Sequence, residues 1–257
     1  MSKVVVERNH GLVWVTLNRP YKRNAVDYDV MEELDQVLDE VEDNQDDKVL
    51  VITGQGNEAF CSGGDVALFQ DLYTKKQAFP MLSKMGKVLY RLFFFPKPTV
   101  AAINGTAVGG GCELATACDF RVAASTAKIG FVQGTLGITT GWGGSTLLYE
   151  RLPATVAMEL LMTCKVMTAQ HANETGFVQH VVSGDDFRAD VESYLRPYTR
   201  QSVAVLQAYK KRFTDSYDKA EVKERFYKEI DHCSTLWASD EHHEAVERFL
   251  NKSTASK

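Results

Sequence analysis

The residues best equipped for chemistry gather around two glycine runs. The stretch Ile103 to Asp119 reads INGTAVGGGCELATACD, with Gly109, Gly110 and Gly111 in succession. Glu113-Leu114-Ala115 are good helix formers, so the glycines are expected to open a helix. Such an opening aims free N–H groups and a partial positive charge at whatever lies in front of it. Glu113 would sit in the first turn as a base beside an anion hole. A second run, Ser62-Gly63-Gly64-Asp65, also follows an apolar, strand-like segment. One N–H from each run, converging on a single oxygen, would stabilise a developing enolate or tetrahedral oxyanion. Two tight turns packed on one another would leave the same pattern, which does not by itself choose between them.

Other candidates carry less. Gly54-Gln55-Gly56-Asn57-Glu58-Ala59 fits a relaxed dinucleotide pattern, but more glycine follows it where a helix should start. A GxxxxGK[ST] phosphate loop is absent, and Ser145 lies in GGSTL, not in a GxSxG nucleophile turn. The six histidines are scattered, and His242-His243 are neighbours, unlike a metal pair at i, i+4. No metal site is expected. Cys112, beside Glu113, reads as a small buried thiol.

Several elements must position these groups. Short β-branched runs at Val4–Glu7 and Val13–Leu17 flank Asn9-His10-Gly11, a hairpin signal. Helical spacing runs from Tyr28 to Val41 and a buried-type strand from Val49 to Thr53. A helix over Met81–Phe95, stopped by Pro96 and Pro98, leads to a strand at Thr99–Ile103 and so to the glycines. Strands at Phe120–Ala124, Lys128–Phe131 and Val178–Val182 alternate with helices at Ser145–Arg151, Ala154–Met162 and Ala169–Glu174. From about Asp186 the pattern is helical throughout. Strands mixed with helices and then helices alone indicate an α/β core with a helical tail.

The bulk numbers bound the partners. A net charge of -5 argues against nucleic acid or an anionic membrane as the main partner. A local basic cluster can still meet an anionic ligand. No run of about 18 apolar residues is present, so no membrane span is expected. The opening MSKVVVERNHG is unlike a signal peptide. Five dispersed cysteines without CxxC spacing read as reduced thiols of a cytoplasmic protein.

Over nearly its full length the chain resembles the crotonase (enoyl-CoA hydratase/isomerase) superfamily. The segments that carry the resemblance are VWVTLNRPYKRNAV, VLVITGQGNEAFCSGGDV, FPKPTVAAINGTAVGGGCELATACDFRVAASTAKIGF, LGITTGWGGSTLL and MTAQHANETGFVQHVV. The resemblance implies an α/β spiral of ββα units over 1–195. It also implies a carboxy-terminal helical trimerisation module over 196–257, assembled as a homotrimer or homohexamer. Acyl-CoA thioesters are the implied substrates, CoA entering as part of the substrate with no tightly bound cofactor. The oxyanion hole carries over to the N–H groups of Gly64 and Gly110. Ser62 and Gly63 belong to the same loop. Lys22, Arg23 and Ala25 resemble the segment that meets the CoA nucleotide, and Asp65-Val66 part of the adenine-side wall. Chain-length control is expected between Leu68 and Met85.

Glu113 matches the first catalytic glutamate of the hydratases, which activates water. The second falls on Gln133, whose amide cannot shuttle a proton. Simple isomerases that use the second glutamate are disfavoured for the same reason. The segment FVQGTLGITTGWGGSTLL also resembles acyl-CoA decarboxylases of the superfamily, in which Trp142 has a counterpart. There Gln133, Thr135 and Trp142 could enclose the carboxylate of a methylmalonyl- or ethylmalonyl-type thioester. The sequence therefore supports, in order, a hydratase-type lyase of fatty-acid or acyl-CoA metabolism, a malonyl-type decarboxylase, and a non-catalytic acyl-CoA-binding protein.

Overall fold

Asn9-His10-Gly11 turns β1 (Val4–Asn9) back along β2 (Leu12–Leu17) as an antiparallel hairpin. His10 and Gly11 both take positive φ, 49° and 83°, the backbone a two-residue turn needs to follow the twist of its strands. The structure is a computed structural model and describes residues 2–255.

From β2 the chain climbs as a spiral. Asp27 caps α1 (Tyr28–Asp43), whose buried face carries Val30, Met31, Leu34, Val37, Leu38 and Val41. The chain returns to β3 (Val49–Gly54), parallel to β2, then runs through β4 (Ala59–Cys61), α2 (Val66–Phe69) and α3 (Lys75–Phe93). Next come β5 (Thr99–Ile103), β6 (Thr106–Val108), α4 (Gly110–Ala117), β7 (Phe120–Ala124) and β8 (Lys128–Gly130). The spiral closes with α5 (Gly144–Arg151), α6 (Ala154–Thr163), β9 (Met167–Thr168), α7 (Ala169–Glu174) and β10 (His180–Val182). Four helices follow: α8 (Phe187–Thr199), α9 (Val203–Thr214), α10 (Lys219–Trp237) and α11 (Asp240–Ala255). α3 begins ahead of the expected Met81 because Thr74 and Gln77 form a reciprocal cap, while Pro80 is carried inside the helix.

Each turn of the spiral lays one long strand into a six-stranded sheet, ordered β1-β2-β3-β5-β7-β10, and one short strand into a second sheet, ordered β4-β6-β8-β9. β2, β3 and β5 are buried along their whole length, as parallel strands covered on both faces must be. Val13, Val15, Leu50, Ile52, Ala101 and Ile103 face the main core, and Leu12, Trp14, Val49, Val51, Val100 and Ala102 face a second core. Val191 and Leu195 of α8 and Leu206 of α9 belong to that second core. The boundary expected at residue 195 therefore falls inside α8, and its outer limit at 257 lies outside the described residues. Val222, Phe226, Ile230 and Cys233 of α10 join the main core, so the helical tail shares its apolar interior with the spiral.

Candidate active site

The short sheet sets the site. β4, β6 and β8 run parallel, and the loops leaving their carboxyl ends carry Ser62–Gly64, Gly109–Gly110 and Gln133 respectively. These loops touch. A Cβ on Gly63 would lie 2.9 Å from the Gly110 nitrogen, and one on Gly111 would lie 2.0 Å from the Cys61 carbonyl oxygen. Gly109, at φ 57° and ψ -123°, turns the chain from β6 into α4 with a backbone that only glycine adopts readily. Gly110 is the first residue of α4, so its N–H has no partner within the helix. The N–H groups of Gly64 and Gly110 donate to no protein group among the described residues.

Both glycines line one cavity of about 110 Å³ with Ser62, Gly63, Val66, Glu113, Gln133 and Trp142. Its apolar walls come from Phe69, Met81, Leu82, Ile138, Trp237 and Val246. The indole of Trp142 presses on the glycine donors: a Cβ on Gly110 would meet its Cζ3 at 2.2 Å, and one on Gly64 its Cζ2 at 3.5 Å.

Glu113, in the first turn of α4, is 3% exposed. Its Oε2 accepts from the backbone N–H groups of Trp142 and Gly144, each at 2.9 Å. Its Oε1 accepts from Gln133 Nε2 at 3.0 Å and, at 3.4 Å, from the Gly141 N–H. Gly144 allows this approach, since a Cβ there would stand 2.3 Å from Glu113 Cγ. Burial pushes the Glu113 carboxyl above its ordinary range, and the charge of Glu229 adds to the rise. Bonds from Trp142, Gln133 and Gly144 oppose both. A carboxyl held this way is a stronger base than one in water.

Glu229 carried no signal in the sequence. It reaches from α10 into the loop before α5, accepting from the Thr140 hydroxyl (2.6 Å), the Ser145 N–H (3.1 Å), and the Thr146 N–H and hydroxyl (2.8 and 2.7 Å). The segment 140–146 is thus fixed by two buried carboxylates, Glu113 and Glu229. Trp237, His242 and Val246 also reach the cavity from the helical tail. His242 Nδ1 lies 2.7 Å from the Leu136 carbonyl oxygen, which makes it the donor. Phe69, Gln70, Met81 and Leu82, within the stretch expected to control chain length, line the cavity.

The remaining sequence candidates are distributed around the mouth. Lys22 and Arg23 are exposed, and the Ser62 N–H donates to the Arg23 carbonyl at 3.1 Å, which ties that loop to the glycines. Ala25 is buried and outside the cavity wall. Val66 lines the cavity, but Asp65 turns inward, pairing with Arg19 Nη2 at 2.8 Å. Arg19, just after β2, also contacts Asp27 at 3.2 Å and donates to the Ala25 carbonyl at 2.6 Å. It locks the loops on either side of Gly64. Thr135 is outside the cavity wall, its hydroxyl donating to the Val132 carbonyl at 2.7 Å. Cys112 is fully buried with its thiol on the Ala107 carbonyl, and burial pushes that thiol well above its ordinary range. No group of histidine, cysteine and acidic side chains suited to a metal ion occurs among the described residues.

The sequence profile of the enoyl-CoA hydratase/isomerase family matches residues 7–256. A crotonyl-CoA hydratase of Syntrophomonas wolfei is 32% identical, covering 99% of this chain and 97% of its own. A short-chain-enoyl-CoA hydratase of Clostridium acetobutylicum is 36% identical over 71% of this chain and 69% of its own. Among solved structures, an enoyl-CoA hydratase/isomerase from Xanthobacter autotrophicus superposes with a TM-score of 0.89 at 25% identity, covering 99% of this chain and 96% of that one. Fold, site-bearing loops and sequence agree: the chain belongs to the enoyl-CoA hydratase/isomerase, or crotonase, family.

Proposed function

We propose that this chain is an enoyl-CoA hydratase-type lyase acting on short-chain enoyl-CoA thioesters. One observation carries the reading: Glu113 and the N–H groups of Gly64 and Gly110 belong to the wall of the same cavity. The thioester oxygen accepts from the two glycine N–H groups, which draws electron density from the Cα=Cβ bond. Glu113 takes a proton from water as the water oxygen bonds to Cβ, and the π pair moves to an enolate held by the glycines. Glu113 then returns the proton to Cα. A removed oxyanion donor costs about 10²–10³ in rate, and a general base contributes about 10²–10⁴. No resident cofactor is required.

The bulk of Trp142, Trp237 and Phe69 around the cavity favours a short acyl group, in keeping with the names of the two hydratases above. Lys22 and Arg23, beside the Ser62 loop, meet the CoA phosphates, with Ala25, Ser62, Gly63 and Val66 shaping the entrance. The helices from residue 196 onward, with exposed apolar groups such as Tyr209 and Tyr227, serve assembly into a homotrimer or a dimer of trimers. A malonyl-type substrate is disfavoured. Its carboxylate would be buried beside Glu113 in a cavity lined by neither lysine nor arginine. Incubation with crotonyl-CoA, and separately with methylmalonyl-CoA, tests the reading. Hydration of the first supports it; decarboxylation of the second without hydration of the first overturns it.

A further inference from the structure

The two enolate donors are held in different ways. Gly110 opens α4, and the helix fixes the direction of its N–H. Gly64 lies between β4 and α2, outside the helices and strands, so its aim must come from elsewhere. It comes from Val26. The Val26 N–H donates to the Gly63 carbonyl at 2.8 Å, and the Val26 carbonyl accepts from the Asp65 N–H at 2.9 Å, a parallel bridge across Gly64. The Gly63 carbonyl and the Gly64 N–H belong to one planar trans peptide, so they point in opposite directions. With the carbonyl held on Val26, the N–H faces away from it, toward the cavity that Gly64 lines.

Val26 in turn stands between two residues gripped by a single guanidinium. Arg19 Nη1 donates to the Ala25 carbonyl at 2.6 Å, while Nη2 meets Asp27 at 3.2 Å and Asp65 at 2.8 Å. All three charged side chains are buried. Asp65 departs from the usual use of its position. It is the N-cap residue of α2, where an aspartate ordinarily accepts from the free N–H groups of the helix, yet its side chain makes no cap bond. The carboxylate is turned to Arg19 instead. Desolvation offsets most of the attraction in a buried ion pair, so stability alone accounts poorly for three charges enclosed here.

We propose that Arg19 and Asp65 are positioning groups for the Gly64 donor. The guanidinium ties the residues on both sides of Val26 to the residue after Gly64, and so sets the angle at which the Gly64 N–H meets the thioester oxygen. Neither side chain touches the substrate. The donor counts most when charge has collected on that oxygen, so a change in its aim weakens the transition state more than the bound substrate. Loosening the tether therefore lowers kcat and leaves KM, whereas a side chain on a CoA wall acts through KM.

The inference rests on the oxyanion hole of the hydratase reading, and a ligand that cannot react separates the two. Butyryl-CoA, isotope-labelled at the thioester carbonyl carbon, has no double bond to hydrate, and hydrogen bonds to its oxygen move the carbonyl stretch to lower wavenumber. Difference infrared spectra of this ligand when bound, its Kd, and kcat and KM for crotonyl-CoA are measured in the wild type, Asp65→Ala, Asp65→Asn and Arg19→Lys. Thr74→Ala serves as a destabilised control with wild-type stretch and kcat. The wild type should lower the stretch. Asp65→Ala should lose part of that shift and about tenfold in kcat at near wild-type KM and Kd, less than the 10²–10³ or so for a donor removed outright. Asp65→Asn keeps an oxygen for Nη2 and should recover most of both. Arg19→Lys keeps the charge without the fork and should fall in the same direction, which preserves the test if Asp65→Ala does not fold. Wild-type kcat and stretch in both Asp65→Ala and Arg19→Lys overturn the inference. So does a loss carried by KM and Kd with the stretch at its wild-type position. A wild type that polarises the butyryl-CoA carbonyl but hydrates no enoyl-CoA overturns the hydratase reading alone, while the spectra still decide this inference. A carbonyl stretch unchanged from free butyryl-CoA in the saturated wild type overturns both.

Discussion

Replacing Glu229 with glutamine tests whether the loop that holds Glu113 is fixed from the helical tail. The carboxylate accepts four hydrogen bonds, two at each oxygen. Glutamine keeps one acceptor oxygen, and its amide nitrogen fits best at the Thr140 and Ser145 side. There the Ser145 N–H retains the Thr140 hydroxyl as an acceptor at 3.1 Å, and that hydroxyl can turn to accept from the new amide. About one bond to a charged group is lost, so Glu229→Gln should cost about 1–2 kcal/mol. Glu229→Leu orphans the Thr146 N–H as well and should cost about 3–5 kcal/mol. The functional effect has a definite sign. The Glu229 charge is the second cause, after burial, of the raised Glu113 carboxyl. Removing it lowers the proton affinity of Glu113, so the acid limb of kcat/KM must move to lower pH. Urea denaturation gives the stability and a pH series of crotonyl-CoA hydration gives the limb. An unchanged midpoint together with an unmoved limb, or a limb shifted to higher pH, would refute the reasoning.

Further outcomes follow from the same geometry. Gly110→Ala places a methyl 2.2 Å from the Trp142 ring, so it should cost about 1–3 kcal/mol by overpacking and about 10²–10³ in kcat by displacing a donor; wild-type turnover in that variant would contradict the assignment. Glu113 is raised from 4.5 to about 8, so its contribution to folding is complete below the ordinary carboxylate range and is lost as pH rises through the raised value. Wild-type stability should accordingly fall between about pH 5 and pH 8 more steeply than that of Glu113→Gln in denaturation series, and identical slopes would count against the shift. Thr74→Ala removes the cap of α3 and should cost about 1 kcal/mol with kcat unchanged, as thermal unfolding and a standard turnover assay would record.

The parts of the site legible in the sequence are those built from local chemistry. Three consecutive glycines before Glu113-Leu114-Ala115 announce a helix opening at an anion-binding turn, and α4 opens there. The apolar spacing from Tyr28 to Val41 likewise places α1, and the hydrogen-bonded turn at His10-Gly11 follows from residue type. β4 and β6, three residues each, are enclosed in glycine-rich segments that read as loops, and β9 has only two residues, so none of them shows a strand signal. Yet β4 and β6 bring the glycine loops together. Glu229 reads as one more charged residue on a helix with many, and only tertiary contact turns it toward Thr140 and Thr146. Trp237, His242 and Val246 were equally hidden, since a stretch read as a separate helical tail gives no hint that it closes the cavity. Asp65 shows the reverse limit: its motif placed it at a ligand wall, while the buried Arg19 guanidinium draws it inward.

The central claim is that Glu113 is the base of an enoyl-CoA hydratase whose enolate rests on Gly64 and Gly110. Its most direct test is the hydration of crotonyl-CoA followed by loss of the enoyl thioester chromophore, in the wild type and in Glu113→Gln. The account predicts turnover by the wild type and a fall in kcat of about 10²–10⁴ in the variant with KM preserved. Hydration that survives the substitution undiminished would contradict it.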